Sequence, residues 1–285
     1  MLACCPWTNQ EPEGRMTAGV PVIVIGNEKG GSGKTTVAIH LVAGLMSAGL
    51  RVGAIDLDAR QQSLTKFFIN RAAWAERRSQ NVLLPRVVTP VASAAGDAEE
   101  RARLEGIIDE LAQECDLVLI DCPGADTAFA RAAHTRAQVL VTPLNDSFVD
   151  FDLLASVDPE TNEVKSPSVY AERVWDSRKR HVMETRRNID WLVVRNRVSP
   201  LETRNQRKVN EALTKLGARI GFRLALGLTE RVVFRELFPK GLTILDLTEV
   251  KTKGITMSQL AARQEVRALV ASLRLPLPVK QAASA

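Results

Sequence analysis

Residues 20–36 read Val-Pro-Val-Ile-Val-Ile-Gly-Asn-Glu-Lys-Gly-Gly-Ser-Gly-Lys-Thr-Thr, and this stretch decides the fold. The apolar, β-branched run from Val20 to Ile25 predicts a strand, which ends in a glycine-rich turn. An apolar helical pattern begins at Thr36. A strand that leads through glycines and Lys-Thr into a helix is the setting of a phosphate-binding P-loop. The stretch therefore predicts a nucleotide site.

The residue types of this loop suit a phosphate group. Glycines let backbone N–H groups close around phosphate oxygens, in conformations that a side chain would obstruct. The helix that opens at Lys34 directs the positive end of its dipole at the same anion. We expect Lys34 to reach the β- and γ-phosphates and the Thr35 hydroxyl to bind Mg²⁺. The predicted nucleotide-binding residues are Gly30, Gly31, Ser32, Gly33, Lys34, Thr35 and Thr36.

Short apolar strands alternate with helical patterns along the chain, which predicts an α/β fold with a doubly wound, mostly parallel sheet flanked by helices. We expect one domain over residues 19–273, a disordered extension over 1–18 with Met16 as a candidate start, and a flexible tail over 274–285. Residues 148–157 are predicted to be helical, and residues 158–188 to be a polar, charged insertion. A helix is also expected over 202–216.

Three aspartates follow apolar strands. Asp56 and Asp121 end two of them, and Asp58 comes two residues after Asp56. Ligands of open α/β sheets bind at the carboxyl ends of the strands, where these side chains would meet. Asp56 and Asp121 are therefore candidates, with Thr35, to orient Mg²⁺. Each aspartate taken alone could instead cap a helix or stabilise a turn.

The composition is that of an ordinary globular protein, with 45% hydrophobic and 25% charged residues. No stretch approaches the roughly 20 apolar residues of a membrane span. The four cysteines show no metal-binding spacing, which favours a reduced, cytoplasmic protein. The net charge is +5, yet residues 171–208 alone hold eleven Lys or Arg against five Asp or Glu. This local excess indicates either a polyanionic partner or a solvated surface.

A basic stripe is expected on the helix over 202–216. Positively charged residues recur there at helical spacing, whereas Val209, Leu213 and Leu216 fall on another face that can pack on the sheet. Linking two such stripes would raise the affinity for one DNA duplex without any new type of contact. The predicted DNA-binding residues are Arg204, Arg207, Lys208 and Lys215 of the stripe, together with Arg219 and Arg223 beyond it.

An additional lysine at the start of the loop, Lys29, makes the motif resemble the deviant Walker A loop of the ParA/MinD superfamily. The resemblance implies an ATP-dependent homodimer in which Lys29 reaches the partner's phosphates. It also implies that Asp58 positions the attacking water and that Asn196 reads the adenine. Asp121-Cys-Pro-Gly is similar to the superfamily's Walker B strand and switch turn, with Cys122 in place of the more usual Thr.

Segments outside the loop are similar to the MipZ family within that superfamily. They are Gly26 to Gly31, Ile55 to Gln61, Pro143 to Asp152, Arg235 to Pro239 and Leu260 to Glu265. The resemblance implies a cytoplasmic, nucleoid-associated ATPase that dimerises on ATP and binds DNA non-specifically. It further implies contact with the centromere-binding protein ParB and inhibition of the polymerisation of FtsZ. A ParA-type partitioning ATPase is the alternative that stays open.

Other P-loop proteins fit less well. A dethiobiotin-synthetase-like ligase does not need Lys29, and an iron protein of the nitrogenase type needs two cluster cysteines per subunit. The bacterial tyrosine kinases carry a tyrosine-rich tail, whereas this chain has one tyrosine, Tyr170. A MinD-like switch ends in a basic amphipathic helix. Here Leu-Pro-Leu-Pro follows the last helix, so we expect no membrane insertion.

Overall fold

The computed structural model describes residues 20–91, 96–145, 148–157, 164–198, 204–247 and 256–275. The predicted extension over 1–18 lies outside the described residues, as does nearly all of the predicted tail. None of the helices in these ranges is long and apolar enough to cross a membrane.

A seven-stranded parallel sheet forms the centre of the molecule. Its strands span Val22–Ile25 (β1), Val52–Asp56 (β2), Arg86–Val88 (β3), Leu117–Asp121 (β4), Val139–Asn145 (β5), Asp190–Asn196 (β8) and Arg223–Leu226 (β9). Across the sheet they lie in the order β3-β2-β4-β1-β5-β8-β9. Strands β6 (Ala155–Val157) and β7 (Val164–Pro167) form a separate antiparallel pair.

Helices cover both faces of the sheet. They span Lys34–Ser47 (α1), Ser63–Arg78 (α2), Asp97–Ala112 (α3), Ala128–Arg136 (α4), Phe148–Phe151 (α5), Val169–Thr185 (α6), Arg204–Ile220 (α7), Val232–Leu237 (α8) and Met257–Ser272 (α9). One apolar cluster joins the sheet to α3, α4, α6 and α7. A second joins it to α1, α2, α8 and α9. The predicted doubly wound α/β fold is confirmed.

Strand β1 shows how the sequence allows helices to pack on both faces of the sheet. Val22 and Val24 belong to one cluster, whereas Ile23 and Ile25 belong to the other. Successive side chains of a strand point to opposite faces, so a strand covered on both sides reads as an unbroken apolar run. All four side chains are fully buried. The apolar run that precedes the loop therefore fixes the loop at the middle of the sheet.

The predicted helix over 148–157 is wrong beyond its first turn. Helix α5 ends at Phe151, and Ala155–Val157 form β6. The apolar residues of this run are ambiguous between a short strand and a helix. Pairing with β7 and complete burial of Leu154 and Ala155 favour the strand.

The predicted polar insertion over 158–188 is also wrong for its described part. That part contains β7 and the 17-residue helix α6. Tyr170, Val174 and His181 recur at helical spacing and are buried against the sheet and its neighbouring helices. The many charged residues of α6 obscure this apolar face. The hydroxyl of Ser168 begins the helix by accepting the N–H of Ala171 at 3.1 Å.

Candidate nucleotide site

The glycine loop connects β1 to α1, as the sequence predicts. Gly31 and Gly33 take positive φ angles of 74° and 85°, a region that residues with side chains rarely adopt. Gly33 directly precedes the first residue of α1. The unpaired N–H groups of the first turn of α1 therefore face the loop, as an anion site at a helix N-terminus requires.

Asn196 holds this loop from the end of β8. Its side chain is buried, and Nδ2 donates a hydrogen bond to the Ser32 carbonyl at 3.0 Å. A Cβ atom on Gly33 would lie only 2.1 Å from this nitrogen. The close approach and the positive φ angle both require glycine at position 33. The contact also brings Asn196 to the loop from 164 residues away in sequence.

Lys34 lies inside the loop. Its ammonium donates to the Lys29 carbonyl at 3.0 Å, and only 8% of the residue is exposed. Burial lowers the pKa of Lys34, while the negative charge of Asp121 and, more weakly, that of Asp58 oppose this shift. A cation in such a desolvated place interacts strongly with an anion that enters the loop. Of the side chains of the loop, this one is best placed to meet a phosphate group.

Asp56 and Asp121 lie side by side, because they occupy paired positions in the register of β2 and β4. Both carboxylates are buried. Asp56 accepts the N–H groups of Asp58 at 3.1 Å and Thr65 at 3.0 Å. Thr65 is the third residue of α2, so Asp56 also caps this helix, which is the alternative role that the sequence leaves open.

Asp121 differs from Asp56, because its Oδ1 atom is buried without a hydrogen-bond partner among the described residues. Burial raises the pKa of Asp121 to about 7, although the neighbouring Thr35 hydroxyl favours the charged form. A buried oxygen without a partner is costly unless a ligand supplies one. The side chains of Thr35 and Asp121 thus present oxygen atoms to one point beside the loop.

These oxygens fit Mg²⁺. The ion prefers oxygen ligands, and it usually takes only one or two carboxylates in addition to phosphate oxygens and water. Within the described ranges, no group of three or more His, Cys, Asp or Glu residues is placed to hold a metal ion by itself. Thr35 and the free Oδ1 of Asp121 match this sparse type of site. Asp56 is less available, since both of its oxygens already accept N–H groups.

Asp58 lies beyond the end of β2 and is half-buried. One carboxylate oxygen, Oδ1, accepts the N–H of Gln61 at 3.0 Å, which fixes the side chain in the turn before α2. Asp58 is close enough to the Lys34 ammonium for its negative charge to oppose the lowering of the Lys34 pKa by burial. The structure thus brings Asp58 to the same edge of the sheet as the glycine loop.

Lys29 has a partner that the sequence analysis misses. Its ammonium pairs with the carboxylate of Asp150 in α5, and its N–H donates to Asn27 Oδ1 at 2.6 Å. The Asn27 side chain in turn donates to the Pro143 carbonyl at 2.5 Å. Asp150 lies within the segment 143–152 that is similar to the MipZ family, but nothing in its spacing indicates a contact with Lys29.

The predicted basic stripe lies on α7. Val209, Leu213 and Leu216 are buried, which confirms the predicted packing face. Lys215 and Arg219 are exposed. The side chains of Arg204, Arg207 and Lys208 lie outside the described part of the structure. Arg223 is paired with Asp190 and donates to the Ser272 carbonyl at 3.0 Å, so its charge is already compensated.

Comparisons with known proteins agree with this geometry. The family model described as ATPase MipZ matches residues 21–277. The chromosome partitioning protein ParA of Myxococcus xanthus is 29% identical over 167 residues, which are 50% of this chain and 59% of that protein. The chain spans about half the length of the first curated relatives that it matches.

Solved structures share the fold. An ATP complex of a McdA variant from Cyanothece aligns with a TM-score of 0.63 at 16% identity, covering 92% of this chain and 99% of that one. The septum site-determining protein MinD from Pyrococcus horikoshii, complexed with Mg-ADP, aligns with a TM-score of 0.52 at 17% identity, covering 89% and 96%. At these identities the likeness establishes the architecture alone.

The loop geometry predicts unequal effects of two glycine substitutions. Gly33→Ala places a Cβ atom against Asn196 at a positive φ angle, so the free energy of unfolding should fall by about 1–3 kcal/mol. Gly30→Ala is the matched control, since its Cβ meets nothing within 4 Å. Urea unfolding of the nucleotide-free chain measures both effects. Equal stability of the two variants would contradict the described contact.

Proposed function

The chain belongs to the MipZ family of ATPases, and from this premise we propose that it is a switch that dimerises on ATP and is reset by slow hydrolysis. In this proposal the dimer binds DNA non-specifically, contacts ParB and inhibits FtsZ polymerisation to position the division site. The observation that carries the proposal is the meeting of Lys34 of the glycine loop with Asp56, Asp58 and Asp121 at one edge of the sheet.

Nucleotide binding rests on the loop and on the first turn of α1. The backbone of residues 30–36 surrounds the phosphates in this proposal, and Lys34 contacts the β- and γ-phosphates. Thr35 and Asp121 would hold Mg²⁺ when the ion is bound, and Asp56 would act through water or as a support for α2. The ion would neutralise part of the phosphate charge. Asn196, whose side chain donates to the Ser32 carbonyl, is assigned to contact the adenine base.

Hydrolysis is assigned to Asp58. Phosphoryl transfer depends chiefly on placement of the attacking water and on compensation of the charge that spreads over the phosphate oxygens. The hydrogen bond from Gln61 fixes the Asp58 carboxylate, which is half-buried and can still accept a hydrogen bond from water. Lys34 compensates charge from within the subunit. Lys29 of the partner subunit would complete the site, which makes hydrolysis depend on dimerisation.

A ParA-type partitioning ATPase is the second candidate function. It is supported by the similarity to the ParA protein of Myxococcus xanthus. Both candidates share nucleotide-driven dimerisation and DNA binding, and they differ in the protein that the dimer controls. Light scattering by FtsZ polymers distinguishes them, because only the first candidate lowers the amount of polymer when ATP is present.

The proposed DNA surface is the predicted basic stripe of α7, continued by the exposed Arg219. A monomer offers few phosphate contacts, and such binding is weak and sensitive to salt. A dimer places two stripes on one duplex and gains affinity without any new type of contact. Arg223 contributes little while it is paired with Asp190. Binding to chromosomal DNA would place the protein at the nucleoid in the cytoplasm.

Replacement of Asp58 separates binding from turnover. Asp58→Ala should still bind ATP and form a dimer, because Lys29 and Lys34 remain, but hydrolysis should fall about 100-fold or more. Phosphate release measures turnover, and light scattering measures dimerisation. Asp109→Ala on the exposed face of α3 controls for loss of one carboxylate. Hydrolysis at the wild-type rate in Asp58→Ala would exclude the proposed role of the carboxylate.

Charge reversal on α7 tests the DNA surface. In the Asp58→Ala dimer, Lys208→Glu with Lys215→Glu should weaken binding to unrelated duplexes and lower the slope of log K against log salt by about 0.9 per lost phosphate contact. Lys240→Glu with Arg267→Glu makes the same change in net charge at exposed positions away from α7. If both pairs reduce affinity equally, the effect is one of net charge and α7 is not the DNA site.

A further inference from the structure

Both charged side chains at the start of the glycine loop are held by the segment between β5 and β8. Lys29 pairs with Asp150 of α5, and Glu28 pairs with Arg173 of α6. Arg173 also contacts Asp126, at 3.3 Å, in the loop that follows β4. The start of the loop is therefore fixed within its own subunit by two ion pairs from a segment remote in sequence.

The Asp150 carboxylate is built to hold a cation. Its side chain is only 4% exposed, whereas that of Lys29 is 37% exposed. Its second oxygen, Oδ2, accepts the N–H of Asn145 at 2.9 Å, which ties α5 to the end of β5. This hydrogen bond orients the other oxygen towards Lys29. Asp150 is thus the fixed, buried member of the pair, and Lys29 is the more accessible one.

The proposed dimer requires Lys29 to leave this position. One ammonium cannot keep its contact with a carboxylate in its own subunit while it extends to a phosphate in another. Its departure would leave a buried carboxylate without its counter-charge, and breaking such a pair is costly. The Asp150 carboxylate and the partner's phosphate therefore compete for the same cation.

We infer that Asp150 is a positioning residue that holds Lys29 within its own subunit and thereby raises the protein concentration needed for ATP-dependent dimerisation. The inference rests on the proposed dimerisation through Lys29. A phosphate carries more negative charge than a carboxylate, so the ATP-bound partner can win the competition. ADP lacks the γ-phosphate and leaves Lys29 with Asp150. The pair thus favours the monomer until ATP is bound.

Neutralisation of Asp150 tests this inference. Asp150→Asn keeps an acceptor for the Asn145 N–H but removes the charge that holds Lys29. With a non-hydrolysable ATP analogue, the concentration of half-maximal dimerisation should fall roughly tenfold, as expected from the loss of a partly buried ion pair. Sedimentation velocity over a concentration series measures it. Asp152→Asn removes the same charge from an exposed position two residues later and should match the wild type.

The outcomes separate this inference from the proposed function. Dimerisation of Asp150→Asn at or above the wild-type concentration would overturn the inference. The double variant with Lys29→Ala should behave like Lys29→Ala alone, because the effect of Asp150 acts through that lysine. If Lys29→Ala itself dimerises as the wild type does, the proposed dimerisation mechanism fails. ADP affinity should be unchanged in Asp150→Asn, which also reports whether its nucleotide site is folded.

A measurement on the wild-type chain covers the case in which Asp150→Asn does not fold. The ¹⁵Nζ signal of Lys29, assigned with Lys29→Arg, reports the surroundings of the ammonium group. The signal should stay close to its nucleotide-free position when ADP is added and should move when the ATP analogue forms the dimer. An unchanged Lys29 signal in the dimer would show that the ion pair with Asp150 persists, and the inference would then be wrong.

Discussion

The parallel register of three central strands is the constraint on which the site depends. Ile25, the last residue of β1, pairs with Asp121 of β4, and Asp121 pairs with Asp56 of β2. The glycine loop and both carboxylates must therefore leave the sheet at one level and at one edge. A shift of one residue would turn the strand's side chains to the opposite faces and remove Asp121 from the loop. The burial of these strands on both faces makes such a shift costly.

The same edge concentrates charge in a poorly solvated place. Lys34, Asp56 and Asp121 are all buried. Burial lowers the pKa of the lysine and raises the pKa of both aspartates, so it favours the neutral form of each side chain. Asp56 is stabilised by backbone N–H groups, whereas Asp121 keeps a free oxygen. Unsatisfied groups of this kind reduce stability and are usually found where a ligand supplies the missing partner. Nucleotide and Mg²⁺ have the charges that this arrangement lacks.

Local patterns in the sequence account for most of the site. The loop, the start of α1 and the strand-end aspartates are predicted because each depends on adjacent residues and on the common direction of parallel strands. The pairing of Lys29 with Asp150 joins residues 121 apart and has no local signal. Helix α6 is missed because its charged residues mask a short apolar stripe. The strand β6 is missed because its partner β7, and not its own composition, decides its conformation.

We propose that bound ATP, and not ADP, brings two chains together through the glycine loops. The most direct test is the mass of the wild-type protein in solution, measured by light scattering with saturating ADP and then with a non-hydrolysable ATP analogue. We expect a mass near 31.2 kDa with ADP and twice that value with the analogue. The same mass with both nucleotides would contradict it.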